Sequence, residues 1–148
     1  MLREIFTIGY EGANSDLFLT ALKDAGVGVV ADVRAVALSR KRGFSKGALR
    51  ESLEANGLGY RHFIALGTPK AGREAARAGD SATMRRIYCD EVLGSEPARQ
   101  ALEDLAALAQ DRPVCLLCFE RDPACCHRRL LAERLAPRGF SVVDLFVP

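Results

Sequence analysis

The chain carries no large excess of either charge: 21 lysines and arginines against 19 aspartates and glutamates leave a formal net charge of +2. A near-neutral protein creates no global field that compels binding to nucleic acid or to a membrane surface, so any anion site must be local. There is also no apolar run approaching the roughly 20 residues that span a bilayer, and no long hydrophobic signal segment at the start. These absences lead us to expect a cytoplasmic protein with no membrane partner. No internal repeat, low-complexity tract or linker breaks the sequence, and no dinucleotide motif is evident, so no organic cofactor is expected. With 148 residues, 49% of them apolar and 27% charged, the chain suffices for one well-buried domain, 1–148, and is too short for two ordinary ones. Nothing in it fixes an oligomeric state.

What is present is concentrated near the end. Leu116 to Arg129 crowds Cys118, Glu120, Arg121, Asp122, Cys125, Cys126, His127, Arg128 and Arg129 into one turn between an apolar run, Pro113 to Phe119, and a helical pattern carried by Leu130, Leu131 and Leu135. No hydrophobic core needs that chemistry. Asp122 followed by Pro123 fits a helix N-cap and first helical position, which places Cys125 and Cys126 in the first turn. There the unpaired amides, the helix dipole and the nearby arginines favour a thiolate, and the same turn can hold a phosphate. Five cysteines without a secretory signal argue for reduced thiols rather than a disulfide scaffold. Cys115 and Cys118 spell Cys-x-x-Cys, but an offset of three in a strand sends them to opposite faces, so that pair does not chelate. Cys115 and Cys89 read as structural.

The rest of the chain alternates strand and helix patterns. Strands are expected at Ile5 to Ile8, Val27 to Val33, Tyr60 to Ile64, Pro113 to Phe119 and Ser141 to Val147. Helices are expected after Asn14 or Ser15, after a Ser45 cap, from about Ser81 to Leu93, and after Ser95-Glu96-Pro97. Ala71 to Asp80, rich in alanine, glycine and charge, reads as a mobile insertion. The pattern predicts a single three-layer α/β domain with a mainly parallel, about five-stranded sheet flanked by helices. Ligands collect beyond the carboxyl ends of strands in such sheets. That brings together the Tyr10-Glu11 turn, the Asp32-x-Arg34 and Ser39-Arg40 region with Lys46, and the cysteine loop with Arg128. His62 reads as a hydrogen-bonded strand residue, and the Gly67-Thr68-Pro69 turn as a conceivable third-strand contribution.

At Thr7-Ile8-Gly9-Tyr10-Glu11-Gly12, Asp32-Val33-Arg34, Ser39-Arg40, Gly43-Phe44-Ser45-Lys46, Leu66-Gly67 and Cys118-x-Glu120-x-Asp122-Pro123-x-x-Cys126-His127-Arg128, the chain resembles the DUF488 family of unknown function. The resemblance implies a cysteine at the strand end, here Cys118, paired with one at the helix start, here Cys126, and an enzymatic activity whose reaction the name does not give. Cys125 is an addition beside the matched cysteine.

The leading expectation is therefore a thiol-dependent transferase or hydrolase with an anion-binding crevice for a phosphorylated small molecule or nucleic-acid-derived ligand. Cys118 or Cys126 is the nucleophile, and Glu120 or His127 transfers the proton. Tyr10, Glu11, Asp32, Arg34, Ser39, Arg40, Lys46 and Arg128 are the candidate ligand-binding residues. A bland reading assigns the arginines to the acidic groups instead, with Asp32 and Arg34 tying a turn together. A second class is a non-catalytic nucleotide or nucleic-acid module, in which Arg40, Lys41, Arg42 and Lys46 meet phosphates while Phe44 stacks on a base. A third is rhodanese-like sulfur transfer, by fold-level analogy; a cysteine-phosphatase loop is disfavoured because Ala124 stands where its arginine belongs. No metal site is assigned, since ligands at 125 and 126 diverge on a helix and paired zinc knuckles are absent. A Cys118 to Cys126 disulfide stays open if the loop folds back.

Overall fold

The computed structural model describes residues 3–148. Five strands, β1 (Arg3–Gly9), β2 (Val29–Asp32), β3 (Gly59–His62), β4 (Val114–Cys118) and β5 (Phe140–Leu145), form one sheet in the order β3-β2-β4-β1-β5. Every pairing is parallel, so the mainly parallel sheet expected from the pattern is wholly so. The helices are α1 (Ser15–Asp24), α2 (Lys46–Ala55), α3 (Lys70–Arg77), α4 (Ser81–Ile87), α5 (Glu96–Asp111) and α6 (Arg128–Leu135). None of them is long and apolar enough to cross a membrane.

Strand alternation divides the core in two. In β4, Cys115 and Leu117 pack with Phe18 and Leu22 of α1 and with Leu49 and Leu53 of α2. Val114, Leu116 and Cys118 pack on the opposite face with Met84 of α4, Leu105 and Ala109 of α5, and Leu130, Leu131 and Leu135 of α6. That is the expected three-layer arrangement, and it puts Cys115 and Cys118 on different faces as the spacing requires.

Local signals act mostly as read. Asn14 caps α1, its Oδ1 accepting from the amides of Asp16 and Leu17 at 2.9 and 3.1 Å. Ser95 caps α5 by accepting from the Ala98 amide. Ser45 stands at the start of α2 but does not cap it, because its hydroxyl is used to close the preceding loop, bonding the Ser39 carbonyl and accepting from the Ser39 amide. The largest correction concerns Ala71 to Asp80. Instead of a mobile insertion, most of it is α3, started by Pro69, with Ala75 and Ala76 against the core. Beyond α4 the chain continues as a π-helical turn through Tyr88–Val92.

Candidate functional site

Two glycines set how closely the strand ends approach one another. A Cβ on Gly9 would lie 1.8 Å from the Glu120 carbonyl oxygen, and one on Gly67 would lie 2.2 Å from the Ala35 Cα. Only glycine admits either contact. The first lets β1 run on beside the cysteine loop, with the Tyr10 and Glu11 amides donating to the Cys118 and Phe119 carbonyls. The second brings Thr68 and the start of α3 against the segment that follows β2.

The cysteine loop is held from three sides. Glu11 accepts from the Arg121 amide at 3.0 Å, and Arg128, fully buried, donates to the carbonyls of Glu120 and Arg121 at 2.5 and 3.1 Å. Asp122 caps a short 3-10 turn, Pro123–Cys125, by accepting from the Ala124 amide. The placement of both cysteines in a first helical turn is thereby corrected. α6 begins at Arg128, and Cys126 leaves the 3-10 turn in extended conformation at φ −130° and ψ 147°. A helical Cys126 would diverge from Cys118; the extended one turns back toward it.

The consequence is a buried cluster. His127 Nδ1 lies 3.6 Å from Cys118 Sγ and 3.7 Å from Cys126 Sγ, and the three donor atoms are all within 4.8 Å of one another. His127 Nε2 lies 2.6 Å from the Val33 carbonyl oxygen. A carbonyl can only accept, so Nε2 carries the proton and Nδ1 presents its lone pair to the sulfurs in the neutral ring. Glu120 Oε2 stands 3.5 Å from Cys118 Sγ.

These contacts separate the two thiols. The hydrogen bond with Cys126, followed by burial and the neighbouring Glu120, holds the Cys118 thiol well above its ordinary value. Burial alone would do the same to Cys126, but the hydrogen bond from Cys118 together with the charges of His127 and Arg128 brings it well below. Burial opposes an imidazolium at His127, yet the Cys126 thiolate and the Val33 carbonyl raise it on balance. Glu120 is pushed up to about 7 by burial and by the Cys126 charge. These opposed directions favour the thiolate at Cys126 over Cys118, whose sulfur stands against Glu120 and His127.

This cluster floors a cavity of about 390 Å³ at the carboxyl ends of β1, β2 and β4. Tyr10, Arg34, Ser39 and Glu120 reach it, as does Cys125. Glu11, Asp32, Arg40, Lys46 and Arg128 do not line it. Asp32 is wholly buried and holds Arg34, itself 5% exposed, through both carboxylate oxygens at 2.9 and 2.7 Å while accepting from the Tyr60 hydroxyl. Arg34 also donates to the Phe44 carbonyl and the Tyr10 hydroxyl. Four of its five N–H groups are thereby held within the protein, as the turn-tying reading holds. His62, bonded to the Arg34 carbonyl, stays in its strand role. Phe44, expected as a stacking ring, is 1% exposed, between Tyr10 at 4.7 Å and Phe18 at 5.0 Å. It has no face to offer a base.

The free cations of the cavity come instead from α3. Arg73 and Arg77 line it, and Arg73 is steadied by donation to the Thr68 carbonyl at 2.8 Å. Thr68 is 4% exposed, and its hydroxyl has no hydrogen-bond partner although it borders the cavity. Val36, Leu38 and Phe119 form an apolar rim, with Leu38 73% exposed. The signal for Arg73 and Arg77 is a spacing of four within one helix, concealed by an alanine- and glycine-rich context.

Compared with known proteins, residues 14–135 match a family model described as a domain of unknown function, DUF488. The match takes in the cysteine loop and α3 and leaves out β1 with its Thr7 to Gly12 turn. No curated protein and no solved structure matches the chain.

Proposed function

The chain belongs to the DUF488 family, and from that premise and the cavity geometry we propose a thiol-dependent enzyme whose Cys126 attacks an electrophilic centre of an anionic ligand, of phosphate or carboxylate type, breaking the bond to a leaving group that departs with the proton held at His127 Nδ1. The observation that carries this reading is the convergence of Cys118, Cys126, His127 and Glu120 on the floor of a cavity whose α3 wall supplies Arg73 and Arg77. Cys126 is the nucleophile because the neutral His127 ring, 3.7 Å away at Nδ1, takes its proton there and leaves the imidazolium beside the thiolate. The Val33 carbonyl fixes the ring for that task. Cys118, Glu120 and the loop amides surround the reacting centre, while Arg73, Arg77 and the Thr68 hydroxyl take the charge of the ligand. The binding role expected of Arg40 and Lys46 passes to α3, since those two side chains lie outside the cavity.

Two alkylating agents of similar size and opposite requirement test this without a known substrate. Cys126 of the reduced, metal-free protein is expected to react faster with the anion iodoacetate, relative to neutral iodoacetamide, than free cysteine in solution does. Arg73→Ala and Arg77→Ala together should lower that ratio by about tenfold, the factor that about 1.4 kcal/mol of lost attraction produces. A ratio unchanged by the double substitution, or a Cys126 no more reactive than Cys115, sinks the proposal.

A further inference from the structure

One feature of the cluster is not explained by a thiolate and its acid. With Nε2 protonated against Val33, the neutral His127 ring has one lone pair, and that single lone pair faces two sulfurs at nearly equal distance, 3.6 and 3.7 Å. A lone pair accepts one S–H well. It faces two sulfurs equally when all three atoms point at a common centre.

A zinc ion supplies such a centre. Zn–S bonds of about 2.3 Å and Zn–N bonds of about 2.0–2.1 Å at a tetrahedral angle separate sulfur from nitrogen by about 3.6 Å and sulfur from sulfur by about 3.8 Å. The observed sulfur to nitrogen distances match the first of these, and no pair of the three donor atoms is more than 4.8 Å apart. We propose that Cys118 Sγ, Cys126 Sγ and His127 Nδ1 form a site for one zinc-class divalent cation whose fourth position opens into the cavity. Soft thiolates with an imidazole select this class over magnesium or calcium. The Nε2–H donated to Val33 is the outer contact that orients a ligating histidine and fixes its tautomer. Two thiolates neutralise the ion, and the fourth position faces Glu120 and the α3 arginines, where a water or an anionic oxygen completes the tetrahedron. In the sequence, Cys118, Cys125, Cys126 and His127 are possible ligands, and no metal site is assigned because Cys125 and Cys126 would diverge along a helix and paired zinc knuckles are absent. The observed donors are Cys126 with Cys118 instead, and Cys126 is not helical.

The site goes beyond the thiol reading and is independent of it. A sulfur lone pair bound to the ion is withdrawn from nucleophilic attack, so the metal-free protein is the nucleophile and the loaded one is not.

The test uses the full chain, reduced with a phosphine, freed of metal by a chelator, and titrated with zinc chloride alone. One zinc per chain is expected to stay with the protein through gel filtration and to protect Cys118 and Cys126 from iodoacetamide while Cys125 remains reactive. Cobalt in place of zinc should give a thiolate-to-cobalt charge-transfer band and the visible absorption of a tetrahedral ion. Loss of outer contacts costs about 10–100-fold in metal affinity, so loss of the ligand in His127→Ala should cost at least about tenfold. Should that variant fail to fold, the cobalt spectrum of the unmodified chain decides. Zinc that is not retained, zinc that leaves both thiols open to alkylation, or cobalt bound without a charge-transfer band each overturns the site. If zinc is not retained but Cys126 still prefers iodoacetate, this inference fails and the proposed function stands. If zinc is retained but Cys126 is inert in the metal-free protein, the proposed function fails and this inference stands.

Discussion

Asp32→Asn decides whether the Asp32–Arg34 pair is scaffold or ligand clamp. The substitution keeps the shape of the side chain and removes its charge. Arg34 cannot respond by losing a proton, because guanidinium stays charged in proteins and this one, although burial works against it, is held further up by its bonds to Asp32. An uncompensated cation is left in a place only 5% exposed. Breaking a buried pair from one side costs about 3–5 kcal/mol. The asparagine carbonyl retains one guanidinium contact, and Tyr10 and Phe44 retain theirs, which favours the lower half of that range. At a urea slope of about 2 kcal/mol per molar, within the usual span of 1–3, the unfolding midpoint should fall by about 1.5–2 M. The assay is equilibrium urea denaturation followed by circular dichroism, with Cys126 alkylation measured on the folded fraction. The iodoacetate to iodoacetamide ratio should be unchanged, since four of the five Arg34 N–H groups are held within the protein. A stability loss under about 1 kcal/mol accompanied by a fall in that ratio would refute the reasoning and return Arg34 to the anion site.

Three further outcomes are expected of Thr68, Cys126 and Cys115. Thr68→Val removes a buried hydroxyl that has no partner, so urea stability should hold or rise by about 1 kcal/mol while phosphate protection of Cys126 against alkylation weakens; lower stability with protection intact would show the hydroxyl to be structural. In the metal-free protein the bond from Cys118 and the charges of His127 and Arg128 outweigh burial and favour the Cys126 thiolate, so its alkylation rate should stay level as pH falls below the free-thiol value of about 8.5 and decline only at lower pH. Cys115, which burial holds protonated, should stay inert until unfolding; a Cys126 rate that drops about tenfold per pH unit from 8.5 would remove the thiolate.

Signals that act within a few residues were legible in the sequence. Asn14 and Ser95 cap the helices that follow them, the alternation of β4 separates Cys115 from Cys118, and the motif order locates the cavity at the strand ends. What failed was competition between a local signal and a distant partner. Ser45 has the right identity and backbone for a cap, but its hydroxyl goes to Ser39. Arg34 and Arg128 follow strands and turns where anion ligands collect, yet buried carboxylate and carbonyl oxygens claim them first. A charged side chain near a site is free for a ligand only when the fold has left it nothing nearer, and no spacing rule records that.

The same principle explains why α3 was the least legible element and the most consequential. Its alanines and glycine carry little periodicity, and its small side chains suit a helix that must lie close to others. At Gly72 an added Cβ would stand 2.4 Å from the Thr68 side chain, four residues earlier, and 3.5 Å from Ile87 of α4. Larger apolar residues would have announced the helix and pushed it outward, taking Arg73 and Arg77 away from the cysteines. The composition that reads as a loop is therefore the one that lets the guanidinium groups of Arg77 and of Arg73, which keeps one bond to the Thr68 carbonyl, line the cavity floored by Cys126. An α3 lengthened in side chain, as in Gly72→Leu, should keep both arginines and still lose the iodoacetate preference of Cys126. Retention of that preference would place the anion site elsewhere on the cavity wall.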